Sequence, residues 1–315
     1  TRELMDAVAP GLPRPEGLLD PHSALTLLRE TLQAIARTDG SVALLTPGPG
    51  SPAFYEHSRL AEGAGLLLVQ PGDVDVRDGG VVDARSGERI AVLYLRLDGE
   101  LAELVDDTGT GVGTRLLDAA AAGTVVLANA PGNGVADDKA MYCHVPALIG
   151  YYLQERPLLD SVPTYRTSDV TERLSVLERI GELVTKPVDG SGGEGVLIGP
   201  VASAAAVAAR RQEISAQPDA WVAQEVVPLS SLPTFAGTQL EPRHVDLRVF
   251  VYLHGTGPGE CRLADVALTR VAPRGSLVVN SSRGGGAKDT WIVSDVGDTG
   301  DVNAEEGETH VRAGG

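Results

Sequence analysis

Lys186-Pro187, followed by Val188-Asp-Gly190-Ser-Gly192-Gly193-Glu-Gly195, is the strongest chemical signal in this 315-residue chain. An ammonium leading into bare glycine backbone offers a point charge beside N–H groups that can approach phosphate oxygens closely. The run matches G-x-G-x-x-G, but in a dinucleotide fold those glycines open a helix. Here Val196-Leu-Ile198 follows at once, so the spacing predicts a mobile hairpin between strands at 183–188 and 195–198. A Walker loop is excluded because the lysine precedes the glycines. The same residues would also make a plain Gly-rich hairpin with a surface lysine. Lysine is scarce, however: Lys139, Lys186 and Lys288 are the only ones among 26 basic residues.

Further groups follow along the chain. Trp221 to Val227 reads as an apolar strand whose edge could offer backbone groups to an adenine, and Glu225 could take ribose hydroxyls. An exposed glutamate at a strand end is the plainer alternative. In His244 to Tyr252, period-two alternation puts Asp246 and Arg248 on one face and Leu247 and Val249 on the other. That pair is either a surface ion pair or part of a phosphate-binding end. Thr269-Arg270 closes the next strand. Asn280 to Asp289, with three glycines beside Arg283 and Lys288, reads as a second anion-receptive loop or a flexible turn. His57 is expected on a helix surface, and Cys143 and His144 on an apolar helix. Gly109-Thr-Gly111-Val-Gly113 does not follow an apolar strand, so a nicotinamide-dinucleotide reading fails its context.

The elements that must position these groups fall into two kinds. Strands and helices alternate over 41–130, which argues for an open α/β layer with a largely parallel sheet. The second half reads as α+β: a helix at 137–154, strands at 183–188, 195–198, 221–227, 245–253, 262–271 and 276–279, and a helix at 202–213. The organisation expected is an N-terminal helical segment (1–40), an α/β domain (41–150), a second α+β unit (151–293) and an acidic, disordered tail (294–315). A formal net charge of -17 disfavours a broad nucleic-acid or membrane face. Two cysteines cannot build a disulfide framework or a zinc cluster. Neither a signal peptide nor an apolar run of about 18 residues is evident, so a cytoplasmic location is expected.

Several stretches in one order resemble the circularly permuted type 2 ATP-grasp family, distantly similar to glutathionylspermidine synthetases. They are Leu45-Thr-Pro-Gly48, Tyr55-Glu-His57, Asn129 to Lys139, Lys186-Pro with its glycines, Gln224-Glu-Val-Val227, Asp246-Leu-Arg248, Leu268-Thr-Arg270-Val271 and Val278 to Trp291. The resemblance implies an ATP-grasp fold in which 41–150 precedes two ATP-holding lobes at 151–293. It implies that Lys186 holds phosphates under a cover of Gly190, Gly192, Gly193 and Gly195, and that Gln224 and Glu225 hold adenine and ribose. Asp246, Arg248, Arg270 and Asn280 would line the phosphate end. The implied chemistry is ATP- and Mg²⁺-dependent joining of a small-molecule or peptide carboxylate to an amine, through an acyl phosphate. Where the family carries a denser charged run, Tyr94-Leu-Arg96-Leu-Asp98-Gly-Glu100 keeps part of it. The family's metal-binding Asp and Glu-x-Asn strands lie ahead of the segment present, so the chain is expected to lack that N-terminal segment. Its metal ligands are left unassigned. The alternative function is a non-catalytic nucleotide-binding remnant or partner subunit.

Overall fold

The computed structural model describes residues 1–97, 99–190, 193–253, 260–279 and 284–294. Helices α1 (Arg2–Val8) and α2 (Ser23–Ala34) precede strand β1 (Ser41–Leu45), helix α3 (Phe54–Ala64) and strand β2 (Leu67–Val69). A hairpin of β3 (Val74–Arg77) and β4 (Gly80–Asp83) leads to β5 (Ile90–Leu95), helix α4 (Gly113–Ala121) and β6 (Val126–Ala128). Strands β2, β1, β5 and β6 pair in that order, all parallel. They are nearly continuous apolar runs because helices cover both faces of such a sheet. Ala43, Leu45, Leu93 and Leu95 point into one core with Leu116 and Ala119 of α4. Leu44 and Val92 point into the other, with Leu28 and Leu32 of α2 and Ala61 of α3. Gly113 serves packing rather than a cofactor: a Cβ there would lie 1.6 Å from the Leu101 carbonyl oxygen.

The helix expected over 137–154 is broken. Its place is taken by α5 (Gly134–Asp137), a 3-10 turn at Met141–His144, α6 (Val145–Leu148) and a π-turn at Ile149–Leu153. Pro146 sits in the first turn of α6, because a proline inside a longer helix would lose a hydrogen bond and clash with the preceding turn. Cys143 and His144 therefore lie on the 3-10 turn.

Two antiparallel sheets follow. Strand β7 (Thr164–Arg166), helix α7 (Val170–Arg179), strands β8 (Val184–Pro187) and β9 (Leu197–Ile198), helix α8 (Ala204–Ala216) and strand β10 (Trp221–Gln224) form the first lobe. Its strand order is β7-β10-β8-β9, over a core of Val176, Ile180, Leu183, Ile214 and Ala223. Strands β11 (Ser231–Phe235), β12 (Leu240–Leu253), β13 (Cys261–Val271) and β14 (Gly286–Asp289) form the second lobe in sequence order. The strand expected at 276–279 is not formed; β14 pairs with β13 instead. Neither β7, α7 nor β11 was expected, although Asp169-x-x-Glu172 is a helix-start signature. Asp169 accepts hydrogen bonds from the Thr171 and Glu172 amides, both at 2.9 Å.

Residues near the N-terminus clasp the far end of the described chain. Arg2 Nε donates to Asp289 at 2.6 Å, and Leu19 N donates to the Ile292 carbonyl at 2.9 Å. Among the described residues no helix is long and apolar enough to cross a membrane.

Candidate functional site

Strand β8 lies between β9 and β10, and its register with β10 sets Lys186 opposite Val222 and Val184 opposite Gln224. Lys186 and Gln224 consequently share a face, and the ammonium donates to Gln224 Oε1. Gln224 Nε2 donates in turn to Thr164 Oγ1 at 2.8 Å, and Thr164 donates to the Val162 carbonyl at 2.8 Å. This chain of bonds fixes the amide of Gln224 beside the lysine.

Beside this pair is a cavity of about 380 Å³, walled by Val184, Val196, Ile198, Val227, Leu277 and Val278. Apolar walls with a few convergent polar groups are the usual character of a small-ligand site. The glycine hairpin stands at its charged end. Gly193 and Gly195 have φ of +77° and +68°, which side-chain-bearing residues rarely adopt. At Gly190 a Cβ would meet Pro187 Cγ at 2.4 Å. Gly192 lies outside the described residues.

Two groups at the hairpin had no role assigned from sequence. Lys139 donates from Nζ to the Gly190 carbonyl, and its amide donates to the Val188 carbonyl at 3.2 Å. A second ammonium is thereby brought close to Lys186, whose pKa is lowered by burial first and by the Lys139 charge second. Arg210 of α8, only 9% exposed, donates to Thr185 Oγ1 at 2.7 Å and to the Gly195 carbonyl at 2.8 Å. Its guanidinium stacks 3.9 Å from the Trp221 ring centroid. The rarity of lysine pointed toward Lys139; nothing in the sequence distinguishes Arg210 from its helical neighbours.

Glu225 departs from expectation. As the neighbour of Gln224 on an extended chain its side chain turns to the other face. There its carboxylate accepts from the Tyr165 hydroxyl at 2.7 Å and from Arg179 Nη2 at 2.9 Å. These two partners, the tyrosine foremost, hold its pKa below the usual carboxylate range. The carboxylate expected on ribose is thus paired with Tyr165 and Arg179 in a partly exposed ion pair, and the residue borders the cavity.

The groups expected at the phosphate end lie on the second lobe. Asp246 faces Arg270 across β12 and β13, and Arg270 Nε donates to Asp246 Oδ1 at 2.8 Å. Arg248 is exposed and has no hydrogen bond or ion pair among the described residues. None of these three lines the cavity. Asn280 is outside the described residues; Val278, two positions earlier, lies against Gly193. Lys288 donates to the Pro233 carbonyl at 2.9 Å. His57 is not on a surface: it is 3% exposed, with Nδ1 2.8 Å from Thr46 Oγ1.

Among the described residues no three His, Cys, Asp or Glu side chains cluster as a metal site, and Asp246 is spent on Arg270. No site built from three such side chains is therefore present among the described residues, whereas a magnesium ion held through nucleotide phosphates needs only one or two carboxylates.

The fold is that of ATP-grasp proteins. A glutathione synthetase-like effector from Globodera pallida superposes with a TM-score of 0.53 at 11% identity, covering 87% of this chain and 61% of that one. Residues 1–272 match the family described as circularly permuted ATP-grasp type 2, and the chain belongs to that family. Its relatives include a putative glutamate–cysteine ligase of Frankia alni, 47% identical over 298 residues, covering 92% of this chain and 34% of the relative. An uncharacterized protein of Mycobacterium tuberculosis is 46% identical over 267 residues, covering 83% of this chain and 48% of the relative. The chain thus spans about a third to a half of the length of these relatives.

Proposed function

We propose that this chain binds ATP between Lys186 and the apolar cavity and serves the joining of a carboxylate to an amine. The observation that carries this reading is the junction of two ammonium groups, Lys139 and Lys186, with a glycine hairpin at one end of an apolar slot. The adenine would lie between Val184, Ile198 and Leu277, and the backbone from Glu225 to Val227 would meet its edge. Phosphates would lie at Lys186 and Lys139 under Gly190, Gly193 and Gly195, with Gly192 in the same cover. Arg248, Arg270 and Asn280 remain proposed for the transferring end, where the second lobe would have to close on the first.

In that reaction a carboxylate oxygen attacks the γ-phosphorus, and the bond from phosphorus to the ADP oxygen breaks, leaving an acyl phosphate and ADP. An amine then attacks the acyl carbon; phosphate departs and the amine gives up a proton. Such a transfer depends on positioning and charge neutralisation rather than on a protein nucleophile. Names given to relatives, putative glutamate–cysteine ligases, support an amino-acid carboxylate as the acid. A second reading, a nucleotide-holding chain that does no chemistry alone, is favoured by the engagement of Asp246 with Arg270.

Calorimetric titration of ATP with and without Mg²⁺, in wild type and Lys186→Ala, tests both readings. Binding that weakens about 10- to 100-fold in Lys186→Ala is expected, the worth of one charge-assisted contact. No binding by the wild-type chain refutes both. Binding indifferent to Mg²⁺, without ADP release on adding acids and amines, leaves the second.

A further inference from the structure

Strand β12 is paired on both sides over only part of its length. Strand β11 runs beside it from Leu240 to His244, and the Val245 amide still donates to the Ser230 carbonyl at 2.9 Å. From there β12 continues to Leu253 with β13 on one side and, among the described residues, no backbone partner on the other. The extra residues of the bulge near Val249 belong to β13, so β12 keeps its alternation. The amides of Leu247, Val249, Val251 and Leu253 therefore point to the same open side as that of Val245.

An unpaired strand edge is a template for another strand, and proteins blunt such edges with proline, with lysine or by keeping the strand short. Strand β11, at the edge of the same sheet, carries Pro233 and is 5 residues long. The open part of β12 has neither device. Leu247, Val249, Val251 and Leu253 are 52–64% exposed, Phe250 is 36% exposed, and the sole charge between Leu247 and Leu253 is Arg248. The order of these residues says what fits them: Leu247-Arg-Val-Phe250-Val-Tyr-Leu253 reads nearly the same in both directions. Set antiparallel to a copy of itself about Phe250, the segment places Leu247 opposite Leu253, Val249 opposite Val251, Phe250 opposite Phe250 and Arg248 opposite Tyr252.

We propose that two copies of this chain join antiparallel along the open edge of β12, about a two-fold axis at Phe250, so that one sheet runs through both. The leucine and valine pairs are those whose amides point outward. Each exchanges two backbone hydrogen bonds, about eight along the seam, which is within the usual count for an interface. Phe250 and Arg248 fall at the intervening, closer positions, where aromatic and cation–aromatic pairs add to the strand pairing. The two Arg248 side chains are then about 13 Å apart along the seam, beyond the screening length of about 8 Å, so no like charges face each other. Strand β11 covers β12 only as far as Val245, outside the paired positions. Such a seam is small beside the roughly 800 Å² a side of a standard interface, so a dissociation constant in the micromolar range is expected. The inference is independent of what binds at Lys186.

Sedimentation of the full chain over about 1 to 200 μM should show a monomer–dimer equilibrium. Val249→Lys with Val251→Lys sets lysines opposite each other and should weaken dimerisation at least about 10-fold. Val249→Glu with Val251→Lys is equally polar but sets each glutamate opposite a lysine, and should restore it. Phe250→Cys should give a disulfide-linked dimer on mild oxidation, above any background from the exposed Cys261, because the axis brings its two Cβ atoms together. Val249→Cys should not. A wild-type chain monomeric throughout overturns the assignment and leaves the edge to a different polypeptide. A dimer indifferent to the lysine pair, a Glu–Lys variant as monomeric as the Lys–Lys one, or no excess of linked dimer in Phe250→Cys overturns it too.

Discussion

The parallel sheet and the β11–β14 sheet use their apolar residues in opposite ways. In the first, Leu44, Leu45, Ile90 and Leu93 are completely inaccessible to solvent, with helices on both faces. In the second, Leu247, Val249, Val251 and Leu253 of β12 and Leu263 of β13 remain 52–64% exposed. The reverse face of β12 carries Tyr252 against the core and Asp246 against Arg270. Stability is thus concentrated in the N-terminal sheet. The second lobe is held by strand pairing, one covered end and a few polar ties, which leaves it the freer element to adjust around a ligand.

The largest contrast is expected from matched truncations. Leu93→Ala should cost about 2–5 kcal/mol in denaturant unfolding, whereas Val251→Ala should stay within about 0.5 kcal/mol. Equal losses would mean that the β12 face is covered in solution. Next in size is Arg210→Met, which leaves the Gly195 carbonyl and Thr185 hydroxyl without their donor; about 1–3 kcal/mol should be lost. Hydrogen exchange should quicken around the glycine hairpin and not in the parallel sheet. Smaller still, Asp246→Asn should cost under about 1 kcal/mol, since its pair with Arg270 is partly solvated.

Titration should separate the regions further. Asp75 of β3, bonded first by Arg115 of α4 and then by Arg77, has its pKa lowered to about 2. The unfolded chain then binds more protons in acid, so this contribution is present above the ordinary aspartate range and is lost as pH falls toward about 2. Arg115→Ala should flatten that acid limb in pH-dependent unfolding. Lys186 acts at the other end of the scale. Its native pKa is depressed, so stability should rise as pH climbs through that depressed value toward the ordinary lysine range. Lys186→Met should abolish the rise, and bound phosphate should oppose it by favouring the charged lysine.

Much of this was open to sequence reasoning because it depends on local periodicity. Apolar runs separated by glycine turns marked the parallel strands, and Lys186 before its glycines marked the hairpin. Alternation alone placed Asp246 and Arg248 together, and it would also have sent Glu225 away from Gln224. Pro146 was a sufficient warning that 137–154 could not be one helix.

Tertiary structure alone decided the rest. It set Lys139 at the Gly190 carbonyl, 51 positions along the chain, and laid Arg210 across Trp221 to hold the hairpin's return. It also left the β12 face open. Sequence spacing reports which way a side chain points from its own strand or helix. It does not report which distant group arrives within the few ångströms over which charges and hydrogen bonds act.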